Sequence, residues 1–447
     1  MSTKASAQIA LDMARQCIVL LQNKGNILPL RKNAEKIAVI GPNAHNEPMM
    51  WGNYNGTPNR TVTILDGIKA KQKKLFYLPG CDLTYNQVME CHLPTECVAP
   101  DGKKGLKGTF WTNTEMEGKP FTTEYYTKPV NVTTAGMHVF APNLPIEDFS
   151  AKYETTFTPK EAGEYVLNVE STGHFEVYVN GERKIMQHTW RATPTRTVLN
   201  AEKGQQFKIE VRFQTVKTWG ASMKINVACE LPIDYQQTIA QLKGINKVIF
   251  VGGISPALEG EEMPVNIEGF KGGDRTSIEL PKVQREFLKA LKAAGKQVIF
   301  VNCSGSAIAL TPETESCDAI VQAWYPGQEG GTAVADILFG DVNPSGKLSV
   351  TFYRDDAQLP DYEDYSMKGR TYRYFNDPLF AFGYGLSYTT FEIGEATMQG
   401  TQSITIPVTN TGKCDGTEIV QVYIRDLSDK EGPLKSLHAF QRIDVKA

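Results

Sequence analysis

The chain has 447 residues, which at roughly 150 residues per domain implies about three domains. With 41% hydrophobic and 22% charged residues it has an ordinary globular composition, which excludes wholesale disorder and fibrous repeats. Lys plus Arg number 47 against 50 Asp plus Glu, a formal charge of −3, so the basic excess of a nucleic-acid binder is missing. No run approaches the ~18 apolar residues that a membrane span needs.

The N-terminus, Met1-Ser2-Thr3-Lys4-Ala5, is followed by no apolar core or cleavage site, so no export signal is visible in this chain. Ile9, Met13, Cys17 and Leu20 recur at three- and four-residue spacing and predict a helix that stops near Asn23-Lys24-Gly25. Ile37-Ala38-Val39-Ile40, closed by Gly41-Pro42-Asn43, is an uninterrupted apolar run bounded by turn residues, the pattern of a parallel strand buried on both faces. From about residue 105 to 230 the texture changes to alternation with period two, as in Tyr165–Val169 and Phe175–Val179, with Asn180-Gly181 as a two-residue hairpin turn. This predicts an antiparallel sandwich inserted into an α/β domain, since the α/β rhythm resumes afterwards. Val248–Val251 reads as a strand, Gln284–Ala294 as a helix, and Val298–Val301 and Ala319–Val321 as strands. A second helix is expected around Ala333–Leu338. The chain then turns irregular and aromatic, and alternation returns from about Thr401 with room for about four strands.

The fold class is therefore α/β plus β: an α/β sandwich domain interrupted by an antiparallel β-sandwich and followed by a partial β-sandwich. The expected divisions are a helical linker (1–25), the discontinuous α/β domain (26–104 and 231–350), the insert (105–230), an aromatic connector (351–394) and the terminal β segment (395–447).

Eight Cys are too sparse for a disulfide scaffold, although Cys81, Cys91 and Cys97 lie close enough in sequence for one bridge. No CxxC pair or His pair accompanies them, so no zinc site is expected and the thiols read as buried or incidental. His45, His92, His138, His174, His188 and His438 show no ligand spacing. Ser304 lies outside a GxSxG elbow, which argues against a serine hydrolase. Gly269–Arg275 lacks a GK[ST] and a following helix, so a turn pinned by Asp274 and Arg275 is favoured over a phosphate cradle. Trp51, Trp111, Trp190, Trp219 and Trp324 are more readily core anchors than sugar platforms. The segment with most chemical interest is Ser255–Met263, which follows a parallel strand at its carboxyl end. Glu259, Glu261 and Glu262 crowd there, and such crowding raises a carboxyl pKa as a general acid requires. From spacing alone, a solvated acidic loop is the better reading.

Several motifs carry a resemblance. Ile18–Asn23 with Ile27-Leu28-Pro29-Leu30, Val39–Ala44, Gly52-Asn53-Tyr54-Asn55-Gly56, Trp324–Gly331, Gly340–Leu348 and Phe382–Phe391 follow the order found in glycoside hydrolase family 3, in the part C-terminal to the catalytic barrel. The insert resembles the protective-antigen-type β-sandwich of some β-glucosidases and β-xylosidases of that family, and the tail resembles its fibronectin type III-like domain. The resemblance implies a retaining, exo-acting β-glycosidase, whose two carboxyl groups lie about 5–5.5 Å apart. It places the general acid/base on Glu261, with Glu259 second and Glu262 third. The family's nucleophile is an Asp in a Ser-Asp-Trp-like motif of an N-terminal (β/α)8 barrel. Neither that motif nor the barrel's Lys-His pair occurs in these 447 residues. The expected partners are thus a β-linked glycoside or oligosaccharide and such a barrel, in the same chain or as a separate polypeptide, with no nucleic acid, no membrane span, no cofactor and no metal. Relatives with this layout imply a periplasmic or secreted location. Thr172-Gly173-His174 stands where related inserts carry a calcium-binding Asp-Asp pair, which argues against calcium here. The insert could narrow the sugar subsites or act as a spacer. The competing reading is a non-catalytic carbohydrate-binding or scaffolding protein built from the same domains.

Overall fold

The computed structural model describes residues 3–447 apart from 57, 135–137, 217–219, 262, 264, 401 and 402. Two compact units result: Met1–Asn86 with Ile233–Ala447, and Gln87–Pro232.

The first unit is organised by a six-stranded sheet of β1 (Val19–Asn23), β2 (Ile37–Ile40), β3 (Leu75–Leu78), β4 (Lys247–Gly253), β5 (Gln297–Cys303) and β6 (Ala319–Gln322). Their spatial order is β1-β6-β5-β4-β2-β3. All neighbours are parallel except β1, which runs antiparallel to β6 at one edge. The central strands are apolar throughout because both faces are covered. Val39, Ile249, Val251, Ile299, Val301 and Val321 face α1 (Lys4–Cys17), α2 (Ile64–Lys71) and α4 (Gly330–Leu338). Their alternates Ala38, Val248, Phe250, Val298, Phe300 and Ile320 face α3 (Lys282–Ala293), which contributes Phe287, Leu288 and Leu291. Full burial of side chains this size contributes about 1.5–3 kcal/mol each.

In this unit the strands expected at Ile37–Ile40, Val248–Val251, Val298–Val301 and Ala319–Val321 are present within a residue or two of their predicted limits, and the first helix is the main departure. It ends at Cys17, and Val19–Asn23 is a strand. Ile18, Val19, Leu20 and Leu21 are all buried, so the continuous apolar run outweighs the helical spacing that links Cys17 to Leu20. The predicted stripe faces outward: Ile9 is 65% and Met13 57% exposed. The helix is held instead by Ala14 and by Arg15, whose guanidinium donates to Asp336 on α4 at 2.5 and 2.8 Å. Lys71 on α2 joins the same carboxylate at 2.5 Å, so one buried acid ties three helices together.

The second unit contains a ten-stranded antiparallel arrangement. Its spine, Gly163–Val179, is one continuous strand with a bulge between Ser171 and Gly173. Before the bulge it pairs with Ser222–Pro232, and after it with Phe207–Gln214. Asn180 (φ 55°) and Gly181 (φ 82°) form the predicted tight turn. Strand pairing reaches upstream of the alternating texture, because Gln87–Cys91 lies antiparallel to Ser222–Pro232. A short strand against a long partner needs no pattern of its own. Phe140, Phe149, Phe157, Phe175 and Phe213 dominate the core of this unit.

Beyond residue 390 there are three two-stranded ribbons among the described residues: 391–393 with 408–410, 397–399 with 403–405 within the span between those strands, and 416–424 with 436–445. Among the described residues they form separate sheets. All eight cysteines are free thiols, so the bridge considered among Cys81, Cys91 and Cys97 does not form. No helix is long and apolar enough to cross a membrane among the described residues.

Helices α2 and α4 cross so closely that a Cβ on Gly67 would sit 1.9 Å from the Gly331 carbonyl oxygen. Backbone cannot retreat as a side-chain tip can. Gly67→Ala should therefore destabilise the first unit by about 1–3 kcal/mol or more, read as a lower urea midpoint with an unchanged slope.

Candidate active site

Parallel strands place the loops that follow them at one edge of the sheet, and there the loops after β2, β4, β5 and β6 converge. The convergence is tight. A Cβ on Gly253 would lie 2.1 Å from the Cys303 carbonyl oxygen, and Gly253 has φ 109°, so only glycine lets β4 and β5 end side by side. Buried amides continue the link. Asn302 donates to Gln322 at 2.6 Å, and Gln322 donates to Ser304 at 2.9 Å. Ser304 in turn donates to the Ser306 carbonyl at 2.7 Å and is fully buried. Its hydroxyl is thus a structural link and not an exposed nucleophile.

The acidic loop extends from β4 over this edge, and its two described carboxylates separate. Glu259, half-buried, turns inward. Its Oε1 accepts from the Tyr325 hydroxyl at 2.5 Å and from the Gly305 amide at 3.1 Å, while Oε2 accepts from the Ser306 hydroxyl at 3.2 Å. Its backbone carbonyl accepts from the Asn53 amide at 2.6 Å. Burial and the neighbouring Glu259 charge push the Tyr325 phenol far above its ordinary value. It therefore remains a donor across any working pH. Trp324, the residue before it, has φ 58°, a left-handed conformation uncommon outside glycine, and its indole donates to the Cys17 carbonyl at 3.0 Å.

Glu261, two residues on, is exposed, and its Oε2 accepts from the Tyr54 hydroxyl. Glu262 lies outside the described residues. The glycine-rich stretch expected to be a pinned turn is a small meander of 266–267, 270–271 and 274–275. It supports the acidic loop from below: a Cβ on Gly273 would meet the Gly260 carbonyl oxygen at 1.6 Å, and Met263 donates its amide to Gly272 at 3.0 Å. Arg275 does not close the turn onto Asp274. It donates to Ser306 Oγ (3.1 Å), the Ala307 carbonyl (2.8 Å) and the Ser277 carbonyl (3.1 Å), bracing the segment that holds Glu259. Burial lowers its pKa, opposed by the charges of Glu259 and Asp356.

Sequence reasoning located this loop but not its supports. Tyr54 and Tyr325 lie within motifs that carried the family resemblance, yet nothing local marked them as partners of the two glutamates. The tryptophans are structural where described. Trp51 donates to Thr61 at 2.8 Å and Trp111 to the Gly118 carbonyl at 3.3 Å. Trp219 and the side chain of Trp190 lie outside the described residues. His45 reaches Thr63 at 3.1 Å, and the rings of His174 and His188 lie 5.8 Å apart.

In an open α/β sheet, ligands bind outside the carboxyl ends of the strands, and that is where this acidic loop lies. Residues 18–388 match the glycosyl hydrolase family 3 C-terminal domain, and the chain belongs to that family. It is 82% identical to a xylan 1,4-beta-xylosidase of Xylanibacter ruminicola, over all of this chain and 52% of that protein. It is 29% identical to a beta-glucosidase of Rhizobium radiobacter over 96% of this chain and 54% of that one. A crystal structure of beta-glucosidase from Kluyveromyces marxianus in complex with glucose superposes with a TM-score of 0.72 at 27% identity, covering 100% of this chain and 57% of that one. The chain thus spans about half the length of these relatives.

Removing one donor from Glu259 should loosen the whole loop. Tyr325→Phe is expected to cost about 1–3 kcal/mol. It should also speed hydrogen exchange at the Leu258 and Glu259 amides, which now bond to the Ser255 carbonyl at 2.9 and 3.2 Å.

Proposed function

We propose that this chain is the non-barrel part of a retaining, exo-acting β-glycosidase that removes terminal β-linked xylose, with Glu261 as general acid/base. The sugar follows from the 82% identity to the xylan 1,4-beta-xylosidase and from 38% identity to a beta-xylosidase of Formosa agariphila over 52% of this chain. The observation that carries the choice of residue is the contrast within one loop. Glu259 is occupied by three donors of its own protein, whereas Glu261 is exposed with the Tyr54 hydroxyl on one oxygen.

In the first step Glu261 donates its proton to the glycosidic oxygen as the bond to the anomeric carbon breaks. In the second it takes a proton from the water that releases the sugar. The covalent partner would be an Asp of an N-terminal barrel, on the same polypeptide or a separate one, because no Ser-Asp-Trp occurs here. Glu259 would position the loop and remains the second candidate for the acid. Residues 105–230, which lie within the unit Gln87–Pro232, would be the protective-antigen-type insert, and residues 395–447 part of a fibronectin type III-like domain. A periplasmic beta-glucosidase of Salmonella typhimurium, 41% identical over 39% of this chain, supports a periplasmic or secreted location.

The 447 residues alone should not turn over aryl β-xylosides or β-glucosides. Turnover abolished by Glu261→Gln would overturn the need for a barrel. Co-expression with the unmatched N-terminal part of the Xylanibacter relative should restore xyloside hydrolysis. Glu261→Gln should then lower kcat by about 10²–10⁴-fold on xylobiose. On a dinitrophenyl xyloside, whose leaving group departs unprotonated, kcat/KM should fall far less than on xylobiose, while kcat still falls because the base of the second step is lost. That leaving-group pattern in Glu259→Gln instead would move the acid to Glu259.

A further inference from the structure

The insert holds a cluster that the glycosidase reading does not use. Glu90 lies in the strand Gln87–Cys91, and His92 follows its last residue at the cap of the short helix Leu93–Glu96. Cys229 is the register partner of Glu90 on the neighbouring strand. His92 Nε2 lies 3.2 Å from Cys229 Sγ, and Cys229 Sγ lies 3.6 Å from Glu90 Oε2. All three donor atoms fall within 4.8 Å of one another.

We propose that Glu90, His92 and Cys229 form a divalent-metal site of zinc type, with solvent as the fourth ligand. Tetrahedral zinc, with bonds of about 2.0–2.3 Å, separates its ligand atoms by roughly 3.3–3.7 Å, and the two measured separations lie close to that range. The donor set, one thiolate, one imidazole and one carboxylate, favours zinc over calcium or magnesium, which take oxygen ligands. Binding displaces the thiol proton to solvent and changes no oxidation state.

The surroundings fit an imidazole built to ligate. Glu96 Oε2 lies 2.5 Å from His92 Nδ1, and that carboxylate is only 6% exposed. The other oxygen of Glu96 accepts the Lys160 amide at 3.2 Å. Glu96 Oε2, buried and without a hydrogen-bond partner of its own, is the carboxylate that would take the Nδ1 proton when Nε2 binds a metal. The ring itself is packed edge-on to Tyr165, with centroids 5.1 Å apart, and lies 6.2 Å from Phe157. Glu90 is exposed, which leaves the fourth position open to water.

Titrating the metal-free 447-residue chain with Co²⁺ should give one equivalent of binding with a near-ultraviolet thiolate-to-cobalt charge-transfer band, displaced by Zn²⁺. Cys229→Ser should abolish the band. His92→Gln, and Glu96→Gln acting through it, should each weaken binding by about 10–100-fold. Glu90→Gln, at an exposed position, should weaken binding while retaining the band. Circular dichroism of the metal-free variants checks that they fold. Should Cys229→Ser not fold, Glu90→Gln and Glu96→Gln decide the matter, because unchanged cobalt affinity in both would overturn the site. So would an absent band in the wild-type chain at millimolar Co²⁺, or a band that survives Cys229→Ser.

Discussion

Lys247–Gly253 and Gln297–Cys303 run parallel in continuous register, from Lys247 opposite Gln297 to Gly253 opposite Cys303, and the candidate site depends on this pairing. Parallel pairing delivers both chain ends to one edge of the sheet. The absent side chain of Gly253 lets them leave it almost touching. From there the peptide after β5 supplies Gly305 and Ser306, and the peptide after β4 supplies Glu259, within hydrogen-bond reach of each other. A sheet with antiparallel central strands would send the two loops to opposite edges and leave the carboxylate without its donors.

The same anchoring explains how acidic residues so close in sequence can share one loop. Charge-assisted hydrogen bonds contribute about 1.5–3 kcal/mol each, and Glu259 accepts three. Gly260 then carries the chain over the Gly272–Gly273 turn, and Glu261 emerges toward solvent beside Tyr54. One glutamate fixes the loop and the other is presented by it. Arg275 completes the arrangement from beneath by holding Ser306 and Ala307, so the donors to Glu259 are themselves held in place.

The parts of this architecture most legible in the sequence were those governed by burial on two faces. Ile37–Ile40, Val248–Val251 and Val298–Val301 announce themselves as apolar runs because both sides of a central parallel strand meet helices. Asn180-Gly181 was legible because its backbone conformation admits few residue types. The first helix misled, because Cys17 and Leu20 happen to lie three apart while the chain between them changes from helix to strand. The site's supports were hidden for a different reason. Tyr54 and Glu261 are 207 positions apart, Tyr325 and Glu259 66 apart, and only the sheet brings them together. His92 and Cys229, 137 apart, show no spacing that a ligand search along the chain could register.

The second unit starts and finishes with paired neighbours, since Gln87 stands directly opposite Pro232 in the antiparallel register. Cα atoms facing each other in such a ladder are about 4.5–5.5 Å apart, little more than the span of a single peptide unit. The 146-residue excursion therefore begins and ends at almost one point. A gene encoding the α/β sheet could acquire, exchange or discard the whole excursion at that point, and a few bridging residues would heal the seam without rethreading any strand.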